Sequence, residues 1–245
     1  MRPHVKPEDR VIVALDVPTA HEALQLVEEL GDAVSFYKVG LELLMAGGLE
    51  GLIGRLSERK KRVFVDVKLP NDIPETVRRA VAVAAKQGVN FLTLSSSATN
   101  ETIRASIEGR AGRATPQLLF VPFLSSLGRA DFAAMTGRDE RAFEDYLKGR
   151  VAEAKAAGVD GFIVSGPEIG LLRAQYPDAL LVSPGIRPEG SPSDDHKRSC
   201  TPAEAIALGA DYIVVGRPIR NAPDRRGAAQ KIVTEVLRAA GTQRG

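Results

Sequence analysis

Val65-Asp66-Val67-Lys68-Leu69-Pro70-Asn71-Asp72-Ile73-Pro74 sets two acids and a lysine close together where an apolar run gives way to a polar one. Residues 62–67 are rich in β-formers, and the segment after Asp72 carries a helical pattern. Alternate residues of a strand share a face, so Asp66 and Lys68 are expected on one side and Val65 and Val67 on the other. Burying a carboxylate and an ammonium is costly unless they are paired. A strand end with both on its inner side is therefore a structural ion pair or a place where chemistry is done.

The pattern repeats upstream. Residues 11–17 form a second apolar run with Asp16 near its end, before Pro18. Residues 33–39 form a third, with Lys38 near its end and Gly40 behind it. Charges at the carboxyl ends of consecutive strands lie where parallel α/β folds do chemistry. Strand-like runs recur near 11–17, 33–39, 62–69, 91–96, 117–124, 161–165, 180–186 and 212–217. Helix-like stretches lie between them at 21–30, 41–59, 74–87, 100–108, 141–157, 202–208 and 227–240. Eight strands alternating with helices, with no linker-like break, predict an α/β protein: a (β/α)8 TIM barrel, a single domain over 1–245. The rival is an open doubly wound sheet. That fold normally shows a glycine-rich turn after its first strand, and Asp16-Val17-Pro18-Thr19 offers none.

Two longer irregular segments follow the fifth and seventh strands, at 125–140 and 187–201. The second is rich in Pro, Gly, Ser and Asp and reads as a lid or binding loop, with a plain surface loop as the rival. The seventh strand ends in Ser183-Pro184-Gly185-Ile186-Arg187-Pro188, and the eighth in Val214-Val215-Gly216-Arg217-Pro218-Ile219. Glycine lets the backbone approach a ligand, and arginine offers a planar fork matched to phosphate oxygens. Loops after strands seven and eight of such barrels frequently bind phosphate, so Gly185, Gly216 and Arg217 form a candidate phosphate cradle. An Arg217–Asp224 ion pair at the barrel rim is the structural alternative.

Composition narrows the classes. A chain of 245 residues, 44% apolar, can bury a sizeable core. A net charge of +2, with acids and bases interspersed, gives no reason to expect nucleic-acid or membrane binding. Cys200 is the only cysteine, which excludes an intramolecular disulfide and a cysteine metal cluster. His4, His21 and His196 are too scattered to suggest a metal site. No apolar stretch approaches membrane-spanning length, and residues 1–10 lack a signal peptide's apolar core, so a cytoplasmic protein is expected.

Taken together, Ala14-Leu15-Asp16, Tyr37-Lys38-Val39-Gly40, Asp66-Val67-Lys68 with Asp72-Ile73-Pro74, Leu124-Ser125-Ser126, Pro184-Gly185-Ile186-Arg187-Pro188, Asp195 to Arg198, and Gly216-Arg217-Pro218-Ile219 resemble the orotidine 5′-monophosphate decarboxylase family over nearly the whole chain. The resemblance implies a β/α barrel that works as a homodimer with shared active sites, with no metal and no organic cofactor. It implies a catalytic array of Lys38, Asp66, Lys68 and Asp72, the last reaching the partner subunit's site together with Ile73 and Thr76. It places Asp16 at the ribose hydroxyls and Ser125 near the pyrimidine ring. Arg187, Gly216 and Arg217 fall at phosphate-contacting positions, and His196 stands in the lid where the family has glutamine. Lys68 is then the general acid that protonates the pyrimidine carbon after CO2 leaves. Three departures stand out. One extra residue separates Lys68 from Asp72, so Asn71 takes the usual spacing of the last acid. His196 replaces the glutamine, and Ser95-Ser96-Ser97-Ala98 replaces the His-Ala that often follows the fourth strand. Two other functions share these features: a metal-dependent barrel enzyme acting on a sugar phosphate, and a non-catalytic phosphate-ligand sensor.

Overall fold

The computed structural model describes residues 5–189 and 199–242. Eight strands, β1 (Val11–Ala14), β2 (Phe36–Val39), β3 (Arg62–Leu69), β4 (Phe91–Leu94), β5 (Gln117–Phe120), β6 (Gly161–Ile163), β7 (Leu180–Ser183) and β8 (Tyr212–Val215), close into a barrel in chain order. Every neighbouring pair is parallel, and β1 closes on β8. Between the first five strands run α1 (Ala20–Leu30), α2 (Leu41–Met45), α3 (Leu49–Glu58), α4 (Pro74–Lys86) and α5 (Asn100–Gly109). Then come α6 (Arg129–Thr136), α7 (Phe143–Ala157), α8 (Glu168–Gln175), α9 (Pro202–Ala207), α10 (Arg217–Arg220) and α11 (Arg225–Thr242).

The strands are apolar on both faces because both are covered, one by helices and the other by the opposite wall. Val13, Tyr37, Val39, Val63 and Val65 face the helices and join one large buried cluster. Ile12, Phe36, Phe64, Phe91, Val182 and Tyr212 form a second cluster inside the barrel. The helices supply matching stripes. In α1, Ala23, Leu24, Leu26, Val27 and Leu30 are buried, and the Thr19 hydroxyl opens the helix by accepting the Glu22 N–H at 3.2 Å.

Strand alternation then sets the interior in layers. Phe36, Phe64, Phe91 and Tyr212 fill the amino-terminal end with ring centroids 4.9 to 5.8 Å apart. Two residues further along three of the same strands come Lys38, Asp66 and Thr93. The barrel is thus filled at one end and polar at the other.

Several elements differ from the sequence expectation. The helical stretch 41–59 breaks into α2 and α3 at Gly47 and Gly48, both with φ of 78°. The segment 125–140 is not wholly irregular. It holds α6, whose Gly128 N–H is capped by Asp131 Oδ2 at 2.6 Å and whose Phe132 packs on Phe143 with centroids 5.6 Å apart. The helix α8 was not foreseen, since residues 168–175 are short and weakly patterned. His196 and most of the expected lid lie outside the described residues.

Candidate active site

The carboxyl ends of β1, β2 and β3 bring Asp16, Lys38, Asp66 and Lys68 into a row of alternating charge. Lys38 Nζ lies 2.9 Å from Asp16 Oδ1 and 3.6 Å from Asp66 Oδ2. Lys68 Nζ lies 3.0 Å from Asp66 Oδ1. Gly40 borders the row, and a Cβ there would lie 3.4 Å from both Asp16 Oδ1 and Lys38 Nζ.

The expectation that Asp66 and Lys68 share a face holds, but not through simple alternation. The β3–β4 ladder pairs Val65 with Leu92 and next Leu69 with Leu94, so the register shifts between them. Inside the shift, Lys68 has φ of 49°, in the left-handed region where non-glycine residues are uncommon.

Electrostatics hold the two middle members of the row, Lys38 and Asp66, charged. Burial alone would push the Asp66 carboxyl up. The charges of Lys38 and Lys68, with hydrogen bonds from Lys68 and Thr93, outweigh burial and keep it below its ordinary value. Burial likewise works to lower Lys38, but Asp66 and Asp16 outweigh it and raise the ammonium above its ordinary value. The two lysines differ in access: the Lys38 side chain is 12% exposed and the Lys68 side chain 34%. A ligand therefore meets Lys68 first.

The row forms one wall of a cavity of about 420 Å³. Gly185, Arg187, Gly216, Arg217 and Arg220, from the segments after β7 and β8, line the same cavity with Ser125, Ala14, Phe64 and Val214. The cavity has two carboxylates, Asp16 and Asp66, against five cationic side chains, so it favours an anionic ligand. The loop between β7 and α9 is tied at its described ends. Ile186 bridges to Cys200, and the Arg187 N–H donates to the Cys200 carbonyl at 2.9 Å. At the other rim, the Asp224 carboxylate accepts the Gly227 N–H at 2.8 Å as α11 begins.

Of the residues expected from sequence, Asp16, Lys38, Asp66, Lys68, Ser125, Arg187, Gly216 and Arg217 meet in this cavity. Asp72, Ile73 and Thr76 do not: they are exposed on the loop and first turn after β3. The Asp72 carboxylate accepts the N–H of Ile73 at 2.6 Å, and Ile73 is 66% exposed. Asn71 turns the other way. Its Oδ1 accepts the Thr99 N–H at 3.2 Å and the Thr102 hydroxyl at 2.6 Å, which fastens the loop to the start of α5. Two residues escaped sequence reasoning. Thr93 sits fully buried in β4 within an apolar run, and only its inward register marks it. Arg220 donates from a terminal nitrogen to the Asp16 carbonyl; its signal was a position one helical turn after Arg217, visible once 217–220 is known to be helical. Among the described residues, no three His, Cys, Asp or Glu side chains gather where they could share a metal ion.

A closed parallel barrel with charged groups at the carboxyl ends of its strands has the architecture of the β/α-barrel enzymes, whose loops after strands seven and eight frequently bind phosphate. Comparison with known proteins makes the assignment specific. Residues 9–232 match the model of the orotidine 5′-phosphate decarboxylase / HUMPS family, and the chain belongs to that family. It is 45% identical over 240 residues to the orotidine 5′-phosphate decarboxylase of Bradyrhizobium sp. (strain ORS 278), covering 98% of this chain and 96% of that protein. It is also 45% identical over 230 residues to that of Methylococcus capsulatus, covering 93% and 92%. The crystal structure of orotidine 5′-phosphate decarboxylase from Lactobacillus acidophilus superposes with a TM-score of 0.79 at 32% identity, over 93% of this chain and 99% of that one.

Proposed function

We propose that the protein is a carboxy-lyase that converts orotidine 5′-monophosphate to uridine 5′-monophosphate in pyrimidine synthesis. The observation that carries this reading is the alternating row Asp16, Lys38, Asp66, Lys68 sharing one cavity with Arg187, Arg217 and Arg220. The arginine end suits a phosphate, and the lysine end suits a ring on which charge develops.

Decarboxylation breaks the bond between the ring carbon and its carboxylate and leaves the electron pair on carbon. Lys68, the more accessible lysine, delivers a proton from Nζ to that carbon. Asp66 carries the wrong charge to sit beside a substrate carboxylate and the right charge to hold the Lys68 ammonium. Lys38 keeps Asp66 ionised from the other side, and Asp16 takes the ribose hydroxyls. Ser125 lies where it can meet the pyrimidine. Arg187, Gly216, Arg217 and His196 bind the phosphate. Interactions at the phosphate, remote from the reacting carbon, help to exclude water and to favour the transition state.

We further propose a homodimer in which Asp72, Ile73 and Thr76 complete the partner's site, with the enzyme in the cytoplasm. Supporting this, Ile73 is exposed after β3, and Leu41, Leu44 and Met45 are 55%, 43% and 83% exposed on α2 after the adjacent strand. Among the described residues, no helix is long and apolar enough to cross a membrane.

The test is the loss of orotidylate absorbance on adding purified protein, with and without a chelator. Turnover that survives the chelator supports this reading over a metal-dependent sugar-phosphate enzyme. No turnover in either condition overturns it and leaves the sugar-phosphate enzyme and the phosphate-ligand sensor.

A further inference from the structure

Three residues of β3, namely Asp66, Val67 and Lys68, are opposed by one residue of β4, Thr93. A strand that carries extra residues against its partner must bulge, and the bulge re-aims its side chains. Here the bulge turns the Lys68 N–H out of the ladder and leaves it needing an acceptor. Thr93 supplies one: its Oγ1 accepts the Lys68 N–H at 2.8 Å. The same hydroxyl donates its proton to Asp66 Oδ1 at 3.0 Å, and that oxygen also accepts from Lys68 Nζ at 3.0 Å. Thr93 is fully buried. One hydroxyl therefore ties the main chain of the lysine to the side chain of its carboxylate partner.

We infer that Thr93 is a positioning residue for the proposed decarboxylation: its hydroxyl holds Lys68 in the left-handed turn that presents the ammonium to Asp66 and to the cavity. The inference rests on the activity proposed above for the role it serves, but not for the geometry it claims. A left-handed backbone at a lysine persists only where its surroundings over-determine it. The two Thr93 hydrogen bonds hold the Lys68 N–H and the carboxylate that the Lys68 ammonium meets. Replacing the hydroxyl by a methyl group leaves a buried N–H with no acceptor at this place, so the bulge must relax and carry the ammonium with it.

The test compares Thr93→Val, which keeps the shape and removes the hydroxyl, with Thr93→Ser, which keeps the hydroxyl and removes the methyl. With orotidine 5′-monophosphate as substrate, Thr93→Val should lose about 10- to 100-fold in kcat, the scale of a displaced reacting group. KM should stay within about threefold, because the phosphate end is untouched. Thr93→Ser should stay within about threefold of wild type in both. A packing role gives the reverse order, with valine serving as well as threonine and serine worse. Crystal structures supply the second reading: Lys68 should keep positive φ in the serine variant and leave it in the valine variant. Wild-type kcat in Thr93→Val, or serine losing as much as valine, overturns the inference. So does a valine structure that keeps both the left-handed Lys68 and the 3.0 Å pair with Asp66. Should the valine variant not fold, the serine variant alone decides, through its kcat and its Lys68 conformation. Failure of wild-type protein to turn over orotidylate sinks the proposed activity instead, and the Lys68 conformation in the variants still decides the positioning claim.

Discussion

Arg62 and Lys68 stand at opposite ends of β3, and each puts a cation on the inner side of the barrel. Arg62 is fully engaged. Its guanidinium lies over Phe36 at 4.4 Å, donates to the Tyr212 hydroxyl at 3.2 Å and to the Asp9 carbonyl at 3.0 Å, and sits 3.5 Å from the Asp9 carboxylate. Lys68 has one carboxylate at 3.0 Å, an open side toward the cavity and a left-handed backbone. The amino-terminal end uses charge to close the barrel over an aromatic floor. The carboxyl-terminal end holds charge in reserve for a ligand. Strand polarity explains the division, because the loops that build sites follow the carboxyl ends.

The comparison breaks most visibly at Lys68. Lys68→Ala should cost at least about 10²-fold in kcat, the usual scale of general acid catalysis, with a melting temperature equal to or above wild type. The melting temperature holds because Asp66 keeps Lys38 as a partner and Thr93 still accepts the backbone N–H at position 68. Steady-state kinetics and thermal melts decide this. A variant that keeps more than about a tenth of wild-type kcat removes Lys68 as the proton donor. The opposite end should fail in the opposite way. Phe91 packs on Phe36, Phe64 and Tyr212, and Phe91→Ala should lose about 3–5 kcal/mol of stability with kcat per folded molecule unchanged. If kcat falls with stability there, the two ends are not independent.

The proposed dimer extends the site beyond one chain. Lys68→Ala and Asp72→Ala subunits, each inactive alone, should recover activity when mixed, because one site of a mixed dimer collects both defects and the other has neither. Random exchange of equal amounts makes half the dimers mixed. Each of these has one intact site, so recovery should approach about a quarter of wild-type activity. No recovery after verified exchange places Asp72 outside the partner's site.

Much of this architecture was legible in the sequence. Eight apolar runs separated by helical patterns gave the barrel, because fully covered strands must be apolar on both faces. Asp16, Lys38 and Asp66 were legible because an acid or a lysine at the end of such a run has few structural uses. The rest was hidden for physical reasons. The bulge at Lys68 arises from pairing with β4, and no local signal in Asp66-Val67-Lys68 announces a register shift. Thr93 is a common strand residue, and only its two hydrogen bonds set it apart. The helix α6 hides in a segment whose glycines and polar residues read as loop, yet Phe132 anchors it to Phe123 and Phe143. Asn71 and Asp72 were separable only by the order Ile73-Pro74-Glu75-Thr76 that follows, and the α5 contacts now account for Asn71.

The Asn71 contacts carry a smaller expected effect. Asn71→Ala removes the acceptor for the Thr99 N–H and the Thr102 hydroxyl, and so frees the loop that carries Asp72. A loss of about 1 kcal/mol in stability and about tenfold in kcat is expected, the latter from a misplaced Asp72. Asn71→Asp keeps the accepting oxygen and should stay nearer wild type. Equal kcat in Asn71→Ala and wild type would mean that the loop is held by other contacts.

The smallest expected effect is a pH response that does not occur. Asp66 is held below its ordinary value, so its contribution to stability is present above the unfolded-state value and is lost as pH falls through the lower folded one. Lys38 is held above its ordinary value, so its contribution is present below the unfolded-state value and is lost as pH rises through the higher folded one. Reference values near 3.9 for aspartate and 10.4 for lysine put both losses outside the range from about pH 5 to about pH 9. Neither group should therefore give a limb in kcat within that range. KM should change near pH ~6, where a substrate phosphate takes its second charge. Measuring kcat and KM separately across this range tests the row. A kcat limb near neutrality that survives Thr93→Ser but moves in Thr93→Val would show Asp66 titrating there. It would mean that the row is less firmly charged than its 2.9 Å and 3.0 Å contacts imply.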